Sequence, residues 1–295
     1  MKTMKYLIFA DASADIDKEF GEANDIHYIP MEYSLGENMR TCAGVEPAEI
    51  MKEFYNGQRH GDLTKTSQIS PYLYKSYLMP WLEKGYSILY LCLSGGLSST
   101  YQSALLAKEE LKEEYPDVDF YPIDSLAATG GMGVLAERAV RNKEAGMSVE
   151  DNYNDIVNCT HNIRHWFMVE DLMYLKRGGR VSATTAVLGS ALNIKPILKI
   201  DEEGKLITIA KKRGSKSAIN ELIELFKNTY DSSCKDDIIS VVHADAAEAA
   251  EELKQRILEL YPDVTVRVGY LSPIIGAHTG PGMLAICHIG YKWEK

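Results

Sequence analysis

The chain has 295 residues, 45% of them hydrophobic and 25% charged, an ordinary globular composition at a length beyond what one core usually serves, so two domains are expected. Its 32 basic and 42 acidic residues leave a formal charge of −10, which repels phosphates and argues against nucleic acid as a partner. No run of about 18 apolar residues occurs, so no transmembrane segment is expected. The five cysteines form no CxxC pair and no Cys/His cluster, which argues against disulfides and a metal site and points to a cytoplasmic location.

Tyr6–Ala10 is a short apolar run closed by Asp11, too short for a signal-peptide core, and it reads as a first buried strand. Ser70 is a candidate N-cap with Pro71 at the first helical position, and Gly85 is the matching stop. Residues 87–93 form a second apolar run, followed by Ser94-Gly95-Gly96 and a helical stretch over 99–114. A third run covers 118–123 and ends at Asp124, with another helix over about 126–145. Short apolar strands alternating with helices indicate a parallel sheet covered on both faces.

From about residue 160 the pattern changes. Residues 163–169 read as a strand, 170–175 as a short helix, and Lys176–Arg180 as a glycine-centred basic turn. Strands are expected over 194–200 and 205–212, joined at Glu203-Gly204, then a helix over 215–229. A strand at 237–242, a helix at 245–260 and strands near 264–269 and 283–290 complete the chain. The expected architecture is α/β in two domains, a parallel one over 1–160 and one with a mixed sheet over 161–295.

Ligands of open parallel sheets bind beyond the carboxyl ends of the strands. The loops expected there are rich in glycine and hydroxyls: Asp11–Asp15, Ser94–Thr100 and Asp124-Ser125, joined by Thr66–Pro71. Ser98 stands where a helix begins, and free N–H groups there favour an anion. Helix capping is the blander use of such a serine. No GxxxxGK[ST], GxGxxG or GxSxG motif occurs, so neither a nucleotide loop nor a nucleophile elbow is indicated. His278 lies among glycines in Gly276–Gly282, a setting for handling phosphate or for a carbonyl-satisfied loop histidine. The other six histidines have no such setting and read as structural or exposed. Arg177, Arg180 and Arg213 each stand beside glycine and suit either phosphate clamping or a solvated turn.

Taken in order, these segments resemble the DegV family over nearly the whole chain. The matching stretches are Phe9–Asp15, Thr66–Pro71, Leu93–Ala104, Asp124–Gly131, Tyr174–Ser182, Leu192–Leu198 and His278–Gly282. The resemblance implies a first domain that is a three-layer α/β/α unit, a second with a mixed sheet, and a long-chain fatty acid as bound ligand, with no cofactor. It implies that Thr66 and Ser98 hold the carboxylate. It also implies a separate ATP-binding fatty-acid kinase subunit that phosphorylates this acid, with Arg177 or Arg180, Arg213 and His278 serving phosphate transfer or docking. The chain departs from the family at Ser99, where glycine is frequent, at Ile69, where proline is common, and at Ala12, where a hydroxyl is common.

Burial of an acyl tail is physically sufficient for such binding. Each buried methylene gives about 0.8 kcal/mol, hence roughly 10 kcal/mol gross for a sixteen-carbon chain, before ordering costs. Neutral donors at the head group leave the carboxylate free to react. The alternative is a self-contained enzyme on a small carbonyl substrate, related to dihydroxyacetone kinase, with His278 holding the ketone. A regulatory protein without chemistry is a third reading.

Overall fold

A computed structural model describes residues 5–117, 119–182 and 193–291. Val118 and Leu192, used in the sequence reading, lie outside them.

Strands β1 (Tyr6–Asp11), β2 (Ile26–Ile29), β6 (Ser87–Cys92) and β7 (Phe120–Asp124) form a parallel sheet in the order β2-β1-β6-β7. Every residue of β1 and β6 is buried, because both faces of the sheet are covered. Leu7, Phe9, Ile88 and Tyr90 pack on one side with helices α3 (Pro71–Leu82) and α4 (Thr100–Glu114). Ile8, Ala10, Leu89 and Leu91 pack on the other with α5 (Gly130–Glu144) and α6 (Val149–Thr160). This is the expected three-layer arrangement. The Ser70 hydroxyl accepts the Leu73 N–H at 3.2 Å, and Pro71 opens α3.

The second half builds a six-stranded mixed sheet, ordered β10-β9-β8-β13-β11-β12. Its strands are β8 (Ile163–Met168), β9 (Ile194–Ile200), β10 (Leu206–Arg213), β11 (Ile239–His243), β12 (Val266–Tyr270) and β13 (Leu284–Ile289). Among the described residues of this sheet, only β11 and β12 pair in parallel. Helices α8 (Ser215–Thr229) and α9 (Ala247–Leu260) cover one face through Trp166, Ile197, Val241 and Ile286. The other face, with Phe167, Leu198, Ala285 and Cys287, turns toward the first half of the chain. Helix α5 packs on strands of both sheets, so it is the element the two share.

Residues 16–65 carried no assigned elements in the sequence reading, and they hold a third unit. Strands β3 (Met31–Leu35), β4 (Asn38–Cys42) and β5 (Thr64–Thr66) form a small antiparallel sheet, preceded by α1 (Lys18–Ala23) and accompanied by α2 (Ala48–Arg59). β3 alternates apolar and polar residues over only five positions, and β4 and β5 are short and mostly polar, so the unit carries little periodic signal. Helices α7 (Met173–Arg177) and α10 (Pro273–Thr279) complete the elements used below. Two expectations need correction. Lys176 and Arg177 end α7 rather than forming a free turn, and His278 lies in the last turn of α10 rather than in a loop. Three contacts fix α10 and the segment entering it: Tyr55 O–H donates to the Leu271 carbonyl at 2.7 Å, Gln58 Nε2 to that of Gly276 at 3.0 Å, and Thr64 Oγ1 to that of Ala277 at 2.9 Å.

Candidate functional site

A cavity of about 440 Å³ lies where the Ser94–Ser99 loop, β5 and α10 meet the inward face of the mixed sheet. That volume falls within the range of small-molecule sites. Its wall divides into a polar cluster and an apolar floor.

A continuous chain of contacts builds the polar cluster. Thr66 Oγ1 and His278 Nε2 are 2.8 Å apart in a hydrogen bond. The His278 ring lies on Gly178, where an added Cβ would sit 2.2 Å from Nδ1. The Gly178 carbonyl accepts from the Arg180 guanidinium, whose Nε also donates to the Leu97 carbonyl at 3.0 Å. Ser98 follows directly. Its Oγ accepts the Thr100 N–H at 3.2 Å and shares a 2.8 Å bond with Thr100 Oγ1. The N-cap position of α4 is Ser99, whose side chain makes no capping bond, and Ser98 before it holds the first N–H of the helix while also lining the cavity. Arg180 brings a guanidinium to this cluster, so its donors are not all neutral, as the head-group argument had assumed.

The loops are held by the aspartates that end β1 and β7. Asp11 accepts the Leu93 N–H at 2.7 Å and the Ser13 N–H at 3.0 Å, and burial pushes its carboxyl pKa up. Asp124 accepts the N–H groups of Gly95 at 3.0 Å and Leu126 at 3.1 Å. These carboxylates are spent on backbone. Ser94 Oγ donates to the Gly204 carbonyl at 2.8 Å, which docks the β9–β10 turn onto the loop that carries Ser98.

The floor comes from the sheet. Cys287 stands opposite His165 and Ala285 opposite Phe167 on paired strands, while Ile200 pairs with Leu206. Leu175, Ile274, Ile275 and Met283 enclose the space above.

Of the six residues singled out in the sequence, Thr66, Ser98, Arg180 and His278 line this one cavity. Arg177 does not: it is exposed and stacks over the Tyr174 ring at 4.5 Å. Arg213 is also exposed. It ends β10 seven positions from Leu206, roughly 23 Å along the strand at the usual rise. The sequence reading passed over Gln68, Thr129 and His165, all on the cavity wall. His165, expected among the structural or exposed histidines, is 3% exposed and lines the cavity. Its alternation with Phe167 on one face of β8 was the available signal.

Burial, with Arg180 nearby, lowers the His278 pKa from 6.5 to about 4, so the ring is neutral at physiological pH. A base whose folded pKa is depressed contributes stability that is whole above 6.5 and is lost as pH falls toward 4. Asp15 has the opposite sign. Burial raises its pKa to about 7, and its contribution is lost as pH rises through that value. A difference measurement separates the two. Between pH 6.5 and 4, the unliganded protein is expected to lose up to about 3 kcal/mol that a His278→Gln variant keeps. Urea unfolding across that window checks this, and parallel curves for the two proteins would contradict it.

Among the described residues there is no group of three or more His, Cys, Asp or Glu placed to hold a metal ion, and no helix long and apolar enough to cross a membrane. Residues 5–290 match the family profile described as an uncharacterised protein of the DegV family. A DegV domain-containing protein of Clostridium perfringens is 36% identical over 287 residues, which cover 97% of this chain and 98% of its own length. Among solved structures, DegV of Bacillus subtilis, a fatty acid binding protein, is 31% identical with a TM-score of 0.80, over 98% of this chain and 100% of its own. A stearic-acid-binding protein from Eubacterium ventriosum is 25% identical with a TM-score of 0.85, over 97% of this chain and 98% of its own.

Proposed function

Since this chain belongs to the DegV family, we propose that its cavity holds a long-chain fatty acid and that the chain presents the acid's carboxylate to a separate ATP-dependent kinase subunit, which converts it to an acyl phosphate. The observation that carries this reading is the division of one cavity into a hydroxyl, imidazole and guanidinium cluster and an aliphatic floor. A carboxylate needs a few donors, and an acyl tail needs a dry apolar wall.

Thr66 and Ser98 hold the carboxylate, and Arg180 and His278 beside them serve the phosphate as it arrives. Arg177 and Arg213, exposed and outside the cavity, belong to the docking surface of the kinase subunit. The ligand lies between two domains, 1–160 and 161–295. The chain has no independent activity, works in the cytoplasm and feeds acyl phosphate to phospholipid metabolism. A three-carbon carbonyl substrate would leave most of a 440 Å³ cavity unfilled, which disfavours the dihydroxyacetone-kinase-like reading.

The test is to purify the protein from a bacterial host, denature it and analyse the organic extract by mass spectrometry. A long-chain fatty acid is expected at close to one per chain. Persistent absence of lipid, together with no binding of added palmitate or oleate, would overturn the reading.

A further inference from the structure

His165 has a polar atom in the apolar floor that nothing so far employs. It lies on β8, opposite Cys287 and two positions from Phe167. The Ala128 N–H donates to its Nε2 at 3.4 Å, so Nε2 is the lone-pair nitrogen and the proton of the neutral ring is assigned to Nδ1. The absence of a side chain at Gly131 makes room for this orientation, since a Cβ there would fall 2.0 Å from Nε2. Burial lowers the ring's pKa to about 4, so Nδ1 keeps its proton and the ring stays uncharged at physiological pH.

Nδ1 makes no hydrogen bond with any described residue and is not sealed off from the cavity. No hydrogen bond among the described residues links His165 to Thr66, Ser98, Arg180 or His278, so it stands apart from the head-group cluster. A saturated tail laid along this floor offers Nδ1–H only methylenes, and a buried donor without an acceptor is costly. An oxygen carried on the chain would accept from it. An alkene accepts only weakly.

We infer that this site selects an oxygen-bearing fatty acid, one with an in-chain hydroxyl or oxo group that accepts a hydrogen bond from His165 Nδ1–H. The inference rests on the fatty-acid reading above and narrows its ligand class. The position of the oxygen along the chain is set by the span from the Thr66–Ser98 cluster to His165, so the preference is confined to one or two neighbouring carbons.

The test is a binding series on the full chain stripped of lipid: stearate, oleate and monohydroxystearates with the hydroxyl at successive carbons. One or two neighbouring isomers are expected to bind about tenfold more tightly than stearate, equivalent to 1.4 kcal/mol. His165→Leu should abolish that preference, read as the ratio of hydroxy-acid to stearate affinity falling to about one. His165→Asn, whose amide nitrogen lies near the Nδ1 position, should keep most of it. Equal affinity for all acids overturns the inference, and this wild-type profile is decisive even if the leucine variant does not fold. Oleate preferred over every hydroxy acid overturns it in favour of an alkene. Equal weakening of all acids by His165→Leu also overturns it, because His165 would then serve the carboxylate. Failure of every acid to bind overturns the fatty-acid reading itself.

Discussion

Replacing Gly96 by alanine is expected to cost about 3 kcal/mol of folding stability and to release the bound acid, although the change adds a single methyl group. An added Cβ would lie 2.6 Å from the Glu203 carbonyl oxygen and from the carbonyl carbon and oxygen of Gly204. These are backbone atoms of a tight turn, in which Asp201 accepts the N–H groups of Glu203 at 3.1 Å and Lys205 at 2.8 Å, so they cannot rotate aside. The turn must move away as a unit. That breaks the buried bond from Ser94 Oγ to the Gly204 carbonyl and frees the loop that positions Ser98. The measurements are the urea midpoint and the fatty acid retained through purification. A variant of wild-type stability that still carries lipid would contradict this account of the loop.

The double substitution Thr66→Ala, Ser98→Ala should weaken binding of a free fatty acid on the order of a hundredfold to ten-thousandfold. Hydrogen bonds to a charged group contribute about 1.5–3 kcal/mol each, and every 1.4 kcal/mol is a factor of ten. The apolar floor is untouched, so the methyl ester of the same acid, which lacks the charge, should bind both proteins within a factor of a few. On the function proposed above, phosphorylation by a kinase subunit should fall at least as far as affinity, because a poorly held carboxylate is also poorly aimed. Undiminished affinity for the acid would remove Thr66 and Ser98 from the head-group site. The variant also leaves the His278 ring without its 2.8 Å partner, so a control with Thr66→Ser separates loss of the hydroxyl from loss of the methyl.

The elements most legible in the sequence were those whose signal is local. Strands β1 and β6 were marked by continuous apolar runs, which a strand buried on both faces requires. Helix α3 was marked by Ser70 and Pro71, and the β9–β10 turn by Gly204, whose φ of 75° is unfavourable for a side chain. Helix α8 was read to the residue, because its apolar face repeats over four turns. The elements overlooked include the twelve-residue helices α2 and α6, but those that build the site were short. β5 has three residues and α10 seven, and neither length sustains a period. Both elements are nonetheless central to the candidate site, since they supply Thr66 and His278.

The sequence by itself singled out Thr66, Ser98 and the Arg-Gly segments, and through the resemblance to the family it implied an acid as their ligand. Tertiary structure alone decided which of them meet. Thr66 and His278 stand 212 positions apart and are joined where Gln58 and Thr64 anchor the backbone of α10 and Tyr55 the segment entering it. Arg180 and Arg213 look alike in the sequence, each beside a glycine, yet one lines the cavity and the other lies at the far end of an edge strand. His165 was undistinguished in the sequence because its character comes from what surrounds it: a glycine that makes room, a backbone N–H that fixes its tautomer, and an apolar floor that leaves one N–H unanswered. Local signals report what a residue's chain neighbours require. A binding site is made by residues that are neighbours only after the chain has folded.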